Sequence, residues 1–249
     1  MKISIITVCY NSEKYIKYAI ESVINQTYPN IEYIIVDGAS KDKTVDIIKS
    51  YGNKITKFIS EPDKGIYDAM NKGIKMATGD VVAILNSDDF YINNNVISSV
   101  INELESKQTD CLFADLIYVD EHDTDKQIRY WKSKPFVPNS FIKGWHPAHP
   151  TFIVKNEVYR KLGYFSLKYK LAADFELMLR FLEKHQISSC YFPQAIIKMR
   201  LGGATNKNLK NILNQNIECY NAFKENDLSV SVFYPLYRLI PKLTQYFRK

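Results

Sequence analysis

Apolar and polar positions alternate in regular blocks along the first hundred residues. Residues 3–8, ISIITV, form a β-branched run that predicts a buried strand. Ile16, Ala19, Ile20, Val23 and Ile24 then fall at i, i+3, i+4, i+7 and i+8, one face of a helix over 13–25. IEYIIVD (31–37) predicts a second strand, DKTVDIIKSY (42–51) a helix with Val45, Ile47 and Ile48 inward, and KITKFIS (54–60) a short third strand. Ile66, Ala69, Met70, Ile74 and Ala77 mark another helical stripe, and DVVAILN (80–86) a strand buried on both faces. A helix is expected near 94–106.

Strand and helix in strict succession predict an α/β fold, a mostly parallel central sheet flanked by helices. Right-handed crossovers place all strand C-terminal ends on one edge, where such sheets bind ligands. The residues leaving the strongest strands are Cys9-Tyr10-Asn11, Asp37-Gly38-Ala39-Ser40 and Asn86-Ser87-Asp88-Asp89. That edge would therefore gather Asn11, Asp37 and a carboxylate pair that no Lys or Arg follows before Lys107. Taken singly, an Asp here turns the chain or caps a helix. Taken together, the acids suit a hard divalent cation.

The second half is less regular. CLFADLIYV (111–119) and QIRYW (127–131) predict strands joined by an acidic turn, and 134–150 an ordered loop rich in Pro and aromatics. TFIVK (151–155), SSCYF (188–192) and AIIKMRL (195–201) predict short strands; 173–185 and 206–225 predict helices. With no repeat, low-complexity segment or flexible linker, residues 1–228 are expected to form one domain, with 229–249 as an appendage.

Composition narrows the picture only slightly. The 249 residues are 46% hydrophobic and 24% charged, as in ordinary globular proteins. The four cysteines form no CxxC pair, so neither a zinc ribbon nor a thioredoxin-type motif is supported. Unpaired thiols without a signal peptide lead us to expect a cytoplasmic protein. No stretch approaches the roughly 20 apolar residues that span a bilayer. The net charge of +6 suits an anionic ligand or surface, but no basic helix interleaved with aromatics argues for nucleic acid. After Asp227 the chain has no acid, and its tail mixes aromatics with Arg238, Lys242, Arg248 and Lys249, a pattern able to lie against anionic lipid headgroups. Packing of the tail on its own domain or another subunit is the alternative.

Neither GxGxxG nor GxxxxGK[ST] occurs, so no glycine-rich backbone cradles a phosphate. Acids facing a diphosphate then need Mg²⁺ or Mn²⁺ between them. A strand-end carboxylate such as Asp37 can also accept an N–H from a nucleotide base.

The blocks TVCYNSEKYI, QTYPNIEYIIVDGASKDKT, EPDKGIYDAMNKGIKMATGD and LNSDDFY, followed more sparsely by HPTFIV, GYFSLKYKLAADFELMLR and MRLGGAT, resemble family 2 glycosyltransferases of the nucleotide-diphospho-sugar transferase (GT-A) fold. Within that family the chain is similar to bacterial enzymes of capsule, exopolysaccharide and O-antigen assembly. The resemblance implies an inverting, metal-dependent transfer from a nucleotide-diphospho-sugar, expected to be a UDP-sugar. The acceptor would be a saccharide hydroxyl, polyprenyl-diphosphate-linked in much of the family. The resemblance places Thr7, Tyr10 and Asn11 at the nucleotide, Asp37 at the base, Asp68 and Asn71 at the donor, Asp88 near the ribose and donor, and Asp89 on the metal. It divides the domain into a donor half (1–95) and an acceptor half (96–228). Asp174 matches the family's general base, with Glu176 as the alternative. Position alone would make Asp174 a helix N-cap, worth roughly 1 kcal/mol.

Two departures stand out: VDGAS replaces the family's VDDGS, and Asn86 stands where its D-x-D-D begins. His146 and His149, in WHPAHP, fit either ligation of a metal or acceptor, or loop packing. Lys64 and Arg200 fit phosphate binding or plain surface solvation, and Gly202-Gly203 a tight turn in a loop closing over the donor. A non-catalytic nucleotide-sugar-binding module is the alternative to an enzyme. A nucleotidyltransferase would carry a glycine-rich basic loop that TVCYNSEKYI lacks.

Overall fold

The computed structural model describes residues 1–201, 209–236 and 238. Its first half follows the predicted alternation: β1 (Ile3–Cys9), α1 (Ile16–Ile24), β2 (Ile31–Asp37), α2 (Thr44–Ser50), β3 (Lys57–Ser60), α3 (Ile66–Met76), β4 (Val81–Asn86), β5 (Phe90–Tyr91) and α4 (Val96–Lys107). The second half contributes β6 (Cys111–Val119), β7 (Gln127–Trp131), a 3-10 turn at His149–Thr151, β8 (Ile153–Lys155), α5 (Asn156–Leu162), α6 (Ala173–Leu179), β9 (Ser189–Arg200) and α7 (Leu209–Glu225).

One sheet runs β3-β2-β1-β4-β8-β6-β9-β5, with β7 paired to the C-terminal part of β6. β3, β2, β1 and β4 are mutually parallel, as are β6 and β9, whereas β8 joins the halves antiparallel to both neighbours. Both faces are covered. Ile3 and Ile5 of β1 pack with α1 and α4, while Ile6 and Val8 pack with α3 and the second-half helices. This two-sided burial is why the strands read as unbroken apolar runs. Gly73 lets α3 approach closely, since a Cβ there would lie 2.4 Å from Ile6 Cγ2.

Four elements depart from the sequence-based expectation, the first being β5, whose two residues are too few for a strand period to show. α5 was not foreseen, because seven residues are too few for a helical period to show. The strands expected at 188–192 and 195–201 are one strand, β9, whose pairing with β6 skips from Phe192 to Ala195. Pro193 cannot donate to the ladder, so the chain bulges there and continues. The helix expected over 173–185 is α6 followed by a π-turn at Arg180–Lys184. There the Arg180 guanidinium binds Glu176 and the carbonyls of Leu162 and Tyr164.

The core does not stop at residue 228. Tyr234 is buried, donates to the Phe141 carbonyl at 2.9 Å and packs edge-on to Phe223. The Arg238 guanidinium covers the Phe175 ring of α6 at 4.7 Å. Val232, Phe233 and Leu236 face solvent. The turn expected at Gly202-Gly203 and most of the basic tail lie outside the described residues. Among the described residues no helix is long and apolar enough to cross a membrane.

Candidate active site

Parallel pairing in register sets Cys9 beside Asp37 and Val8 beside Asn86, so three strands deliver their ends to one crevice. A cavity of about 480 Å³ opens there. Tyr10, Asp63, Asn86, Asp88, His149 and Asp174 supply its polar and aromatic rim, and Met70, Phe165, Leu177 and Met178 are among its apolar lining.

Of the residues expected at the donor, Tyr10 and Asp88 lie on this wall. Thr7 does not, because it shares the strand parity of Ile3 and Ile5 and is fully buried, its hydroxyl 3.0 Å from that of Tyr33. Asn11 is exposed in a left-handed conformation, and its Oδ1 accepts from Lys41 N, tying the first two strand-end loops together. Asp37 is buried beneath the crevice and accepts from Ser40 N at 2.9 Å, Ser60 Oγ at 2.6 Å and Ser40 Oγ. Asp68 accepts from Lys64 N and helps fold the loop before α3. Asn71 clasps Phe165 in both directions, donating to its carbonyl and accepting from its N–H, each at 2.9 Å. It thereby shapes the cavity through Phe165.

The acid missing from VDGAS has a spatial counterpart. A Cβ at Gly38 would lie 2.4 Å from Asp63 Oδ2, so the Asp63 carboxylate fills the room a side chain at 38 would need. Asp63 also accepts from Gly65 N at 2.8 Å, and Gly65 adopts φ 114°, which favours glycine. Sequence reasoning missed Asp63; the signal was its place in EPDKG, directly before a helix.

Asp88 and Asp89 lie in a turn closed by Asp89 N donating to Asn86 O. Burial pushes the Asp88 carboxyl up, against the opposing charges of Arg200 and His149. Asp89 is fully buried, and burial first, then the Asp88 charge, hold its carboxyl well above the usual carboxylate range. Asn86 Nδ2 donates to Asp89 Oδ2 at 3.1 Å, while Asp89 Oδ1 and Asn86 Oδ1 are buried without a partner. Buried polar oxygens are ordinarily satisfied. Two orphan oxygens beside a second carboxylate form a hard donor set of the kind Mg²⁺ and Mn²⁺ accept, with a diphosphate completing the shell. No cluster of three His, Cys, Asp or Glu able to hold an ion alone occurs among the described residues.

Arg200 is not a surface residue. It is buried at the end of β9, its guanidinium within 5.1 Å of the ring centroids of Tyr15, Tyr18 and Phe90. The adjacent β5–β9 pairing fixes this end of the strand, and the Arg200 charge acts on both Asp88 and Asp89.

Asp174 lines the same cavity from α6. It lies in the first turn of α6 but caps nothing: Ala172 holds the N-cap position without a side-chain bond. Its Oδ1 accepts from Tyr67 OH at 3.1 Å, and its Oδ2 lies 3.2 Å from His149 Nδ1. Glu176, the alternative base, is buried and bound to Arg180 and Asn226. His146 is a packing residue among Trp131, Phe141 and Phe175, and burial lowers its pKa to about 4.

Residues 4–198 match the family model described as glycosyl transferase family 2. An uncharacterized glycosyltransferase of Rickettsia typhi is 33% identical over 233 residues, covering 88% of this chain and 69% of that protein. A Rickettsia prowazekii relative is 32% identical, and this chain spans 66% of it. Staphylococcus aureus TarS, residues 1–349 in complex with UDP-GlcNAc, superposes with TM-score 0.67 at 21% identity, over 88% of this chain and 66% of that one. The Pyrobaculum calidifontis mannosyltransferase PcManGT, with GDP-Man and Mn²⁺, gives 0.65 at 16% identity, over 95% and 68%. These structures share the GT-A fold seen here. With its sheet edge, its converging acids and this match across most of its length, the chain belongs to glycosyl transferase family 2.

Proposed function

We propose that the chain transfers a sugar from a nucleotide-diphospho-sugar to a saccharide hydroxyl with inversion at the anomeric carbon. The observation that carries this reading is a single cavity lined both by Asn86 and Asp88 from the end of β4, with the buried Asp89 behind them, and by Asp174 from α6. An acceptor hydroxyl is a weak nucleophile until its proton is removed as it attacks. Asp174 takes that proton, the acceptor oxygen bonds to the anomeric carbon, and the bond to the diphosphate breaks with its electron pair leaving on the diphosphate. Attack opposite the leaving group inverts the centre. Asp88, Asp89 and Asn86 would hold Mg²⁺ or Mn²⁺, whose bound charge offsets that developing on the leaving diphosphate. Residues 1–95 supply the donor acids, and 96–228 supply Asp174 and His149.

A uridine donor is supported by the TarS complex with UDP-GlcNAc, and divalent-metal use by the PcManGT complex with Mn²⁺. Thermal-shift measurements with UDP-, GDP- and dTDP-sugars, each with and without Mn²⁺, test the assignment. A rise in Tm with a UDP-sugar and Mn²⁺ together is expected, with slow donor hydrolysis in the same mixture. Stabilisation without hydrolysis or transfer would leave a binding module instead.

The same reading places the acceptor on a polyprenyl diphosphate in surface-polysaccharide assembly, and the protein on the inner face of the cytoplasmic membrane. The exposed Val232, Phe233 and Leu236 beside a basic tail support this. Because Tyr234 is part of the core, truncation is the wrong probe. Changing all three exposed residues to Ser should abolish flotation with anionic liposomes while leaving Tm unchanged; undiminished flotation would remove the membrane from the proposal.

A further inference from the structure

Both oxygens of the Asp174 carboxylate are held, and by residues from distant parts of the chain. Tyr67 OH reaches Oδ1 from α3, and His149 Nδ1 approaches Oδ2 from the 3-10 turn. Each holder is itself immobilised. The Tyr67 ring stacks on Phe165 at 5.6 Å between centroids, and Phe165 is gripped by Asn71. His149 lies in a turn flanked by Pro147 and Pro150. The buried Thr151 anchors that turn to β6, its Oγ1 accepting from Ala114 N at 3.0 Å. Phe152 N closes the turn onto the His149 carbonyl at 3.1 Å.

A carboxylate in the first turn of a helix ordinarily rotates about two torsions, and most of its rotamers would aim it away from the cavity. Here the capping use of that side chain is absent, and its two contacts instead fix one rotamer facing the cavity. We propose that Tyr67 and His149 are positioning residues, which hold the Asp174 carboxylate in the orientation that meets the acceptor hydroxyl. The inference rests on the reading of Asp174 as general base. It assigns His149 neither metal ligation nor mere loop packing, and it gives Tyr67 a role that sequence reasoning did not reach. Orientation of this kind matters because misplacement by about 1 Å can cost roughly 10²-fold in rate.

The test compares Tyr67→Phe, His149→Leu and His149→Asn with Asp174→Asn, measuring kcat, donor KM and Tm for each. Tyr67→Phe and His149→Leu are expected to lower kcat by about 10- to 100-fold, with donor KM nearly unchanged. In the Asp174→Asn background neither should have a further effect, because the group they orient is gone. His149→Asn keeps an N–H near the position of Nδ1 and should recover most of the rate lost in His149→Leu. Wild-type kcat in Tyr67→Phe and His149→Leu, beside an inactive Asp174→Asn, would overturn the positioning role and leave the base standing. Equal loss in His149→Asn and His149→Leu would also overturn it, since the ring's own proton chemistry would then be needed. Turnover retained by Asp174→Asn would instead remove the base assignment beneath it. If the leucine variant fails to fold, Tyr67→Phe and His149→Asn carry the comparison.

Discussion

Replacing Asp174 by Asn is expected to lower kcat by about 10³-fold, some 4 kcal/mol of transition-state stabilisation, at nearly unchanged donor affinity. The substitution is almost isosteric, so the contacts with Tyr67 and His149 lose charge rather than shape. What disappears is the ability to accept the acceptor's proton. Donor binding should survive because Asp88 and Asp89 lie on a different element, at the end of β4. Single-turnover transfer with a radiolabelled donor, paired with calorimetric donor titration, separates the two effects. Full activity in this variant would rule out Asp174, and no other acid on the described cavity wall stands with it on α6, Glu176 being bound to Arg180 and Asn226.

The second large effect is expected from Asp89→Asn. Transfer should fall by about 10²–10³-fold, and the Mn²⁺-dependent rise in Tm with donor should vanish. Without metal, the variant's Tm should equal or exceed that of the wild type. The sign follows from the raised pKa of Asp89, whose first cause is burial and second the charge of Asp88. An acid that binds its proton more tightly folded than unfolded costs stability as pH rises from the ordinary carboxylate range toward its folded value. Asn carries no such cost, so the wild type without metal should lose more stability than the variant on going from mildly acidic to neutral pH. Cation-assisted transfer undiminished by Asp89→Asn would show that this buried acid serves only the fold, and the donor reading of Asn86, Asp88 and Asp89 would fail with it.

Much of the sheet was legible because its signals are local. β2 and β6 span the predicted residues, and the acids at the ends of β2 and β4 converge simply because parallel strands end on one edge. The site was legible only in part, since knowing which residues follow a strand does not say where their side chains point. Thr7 matched a motif, but strand parity turns its hydroxyl toward Tyr33. Asn11 and Asn71 matched too, yet the structure spends their amides on Lys41 and Phe165. Arg200 fitted either phosphate binding or surface solvation, and of these the single long strand β9 excludes the surface, carrying it beneath three rings.

By itself, the sequence determined the succession of strands and helices, the sheet edge that gathers the acids, and the chemistry those residue types can perform. Such features depend on the periodicity and composition of short segments, which the chain carries wherever it folds. Only the tertiary structure decided that Asp63 fills the room beside Gly38, that two oxygens next to Asp88 stay unpartnered, and that Asp174 faces the cavity rather than capping its helix. Those outcomes turn on contacts such as Tyr67 with Asp174, 107 residues apart, and no local pattern encodes which side chains meet across that distance until the packed core brings them together.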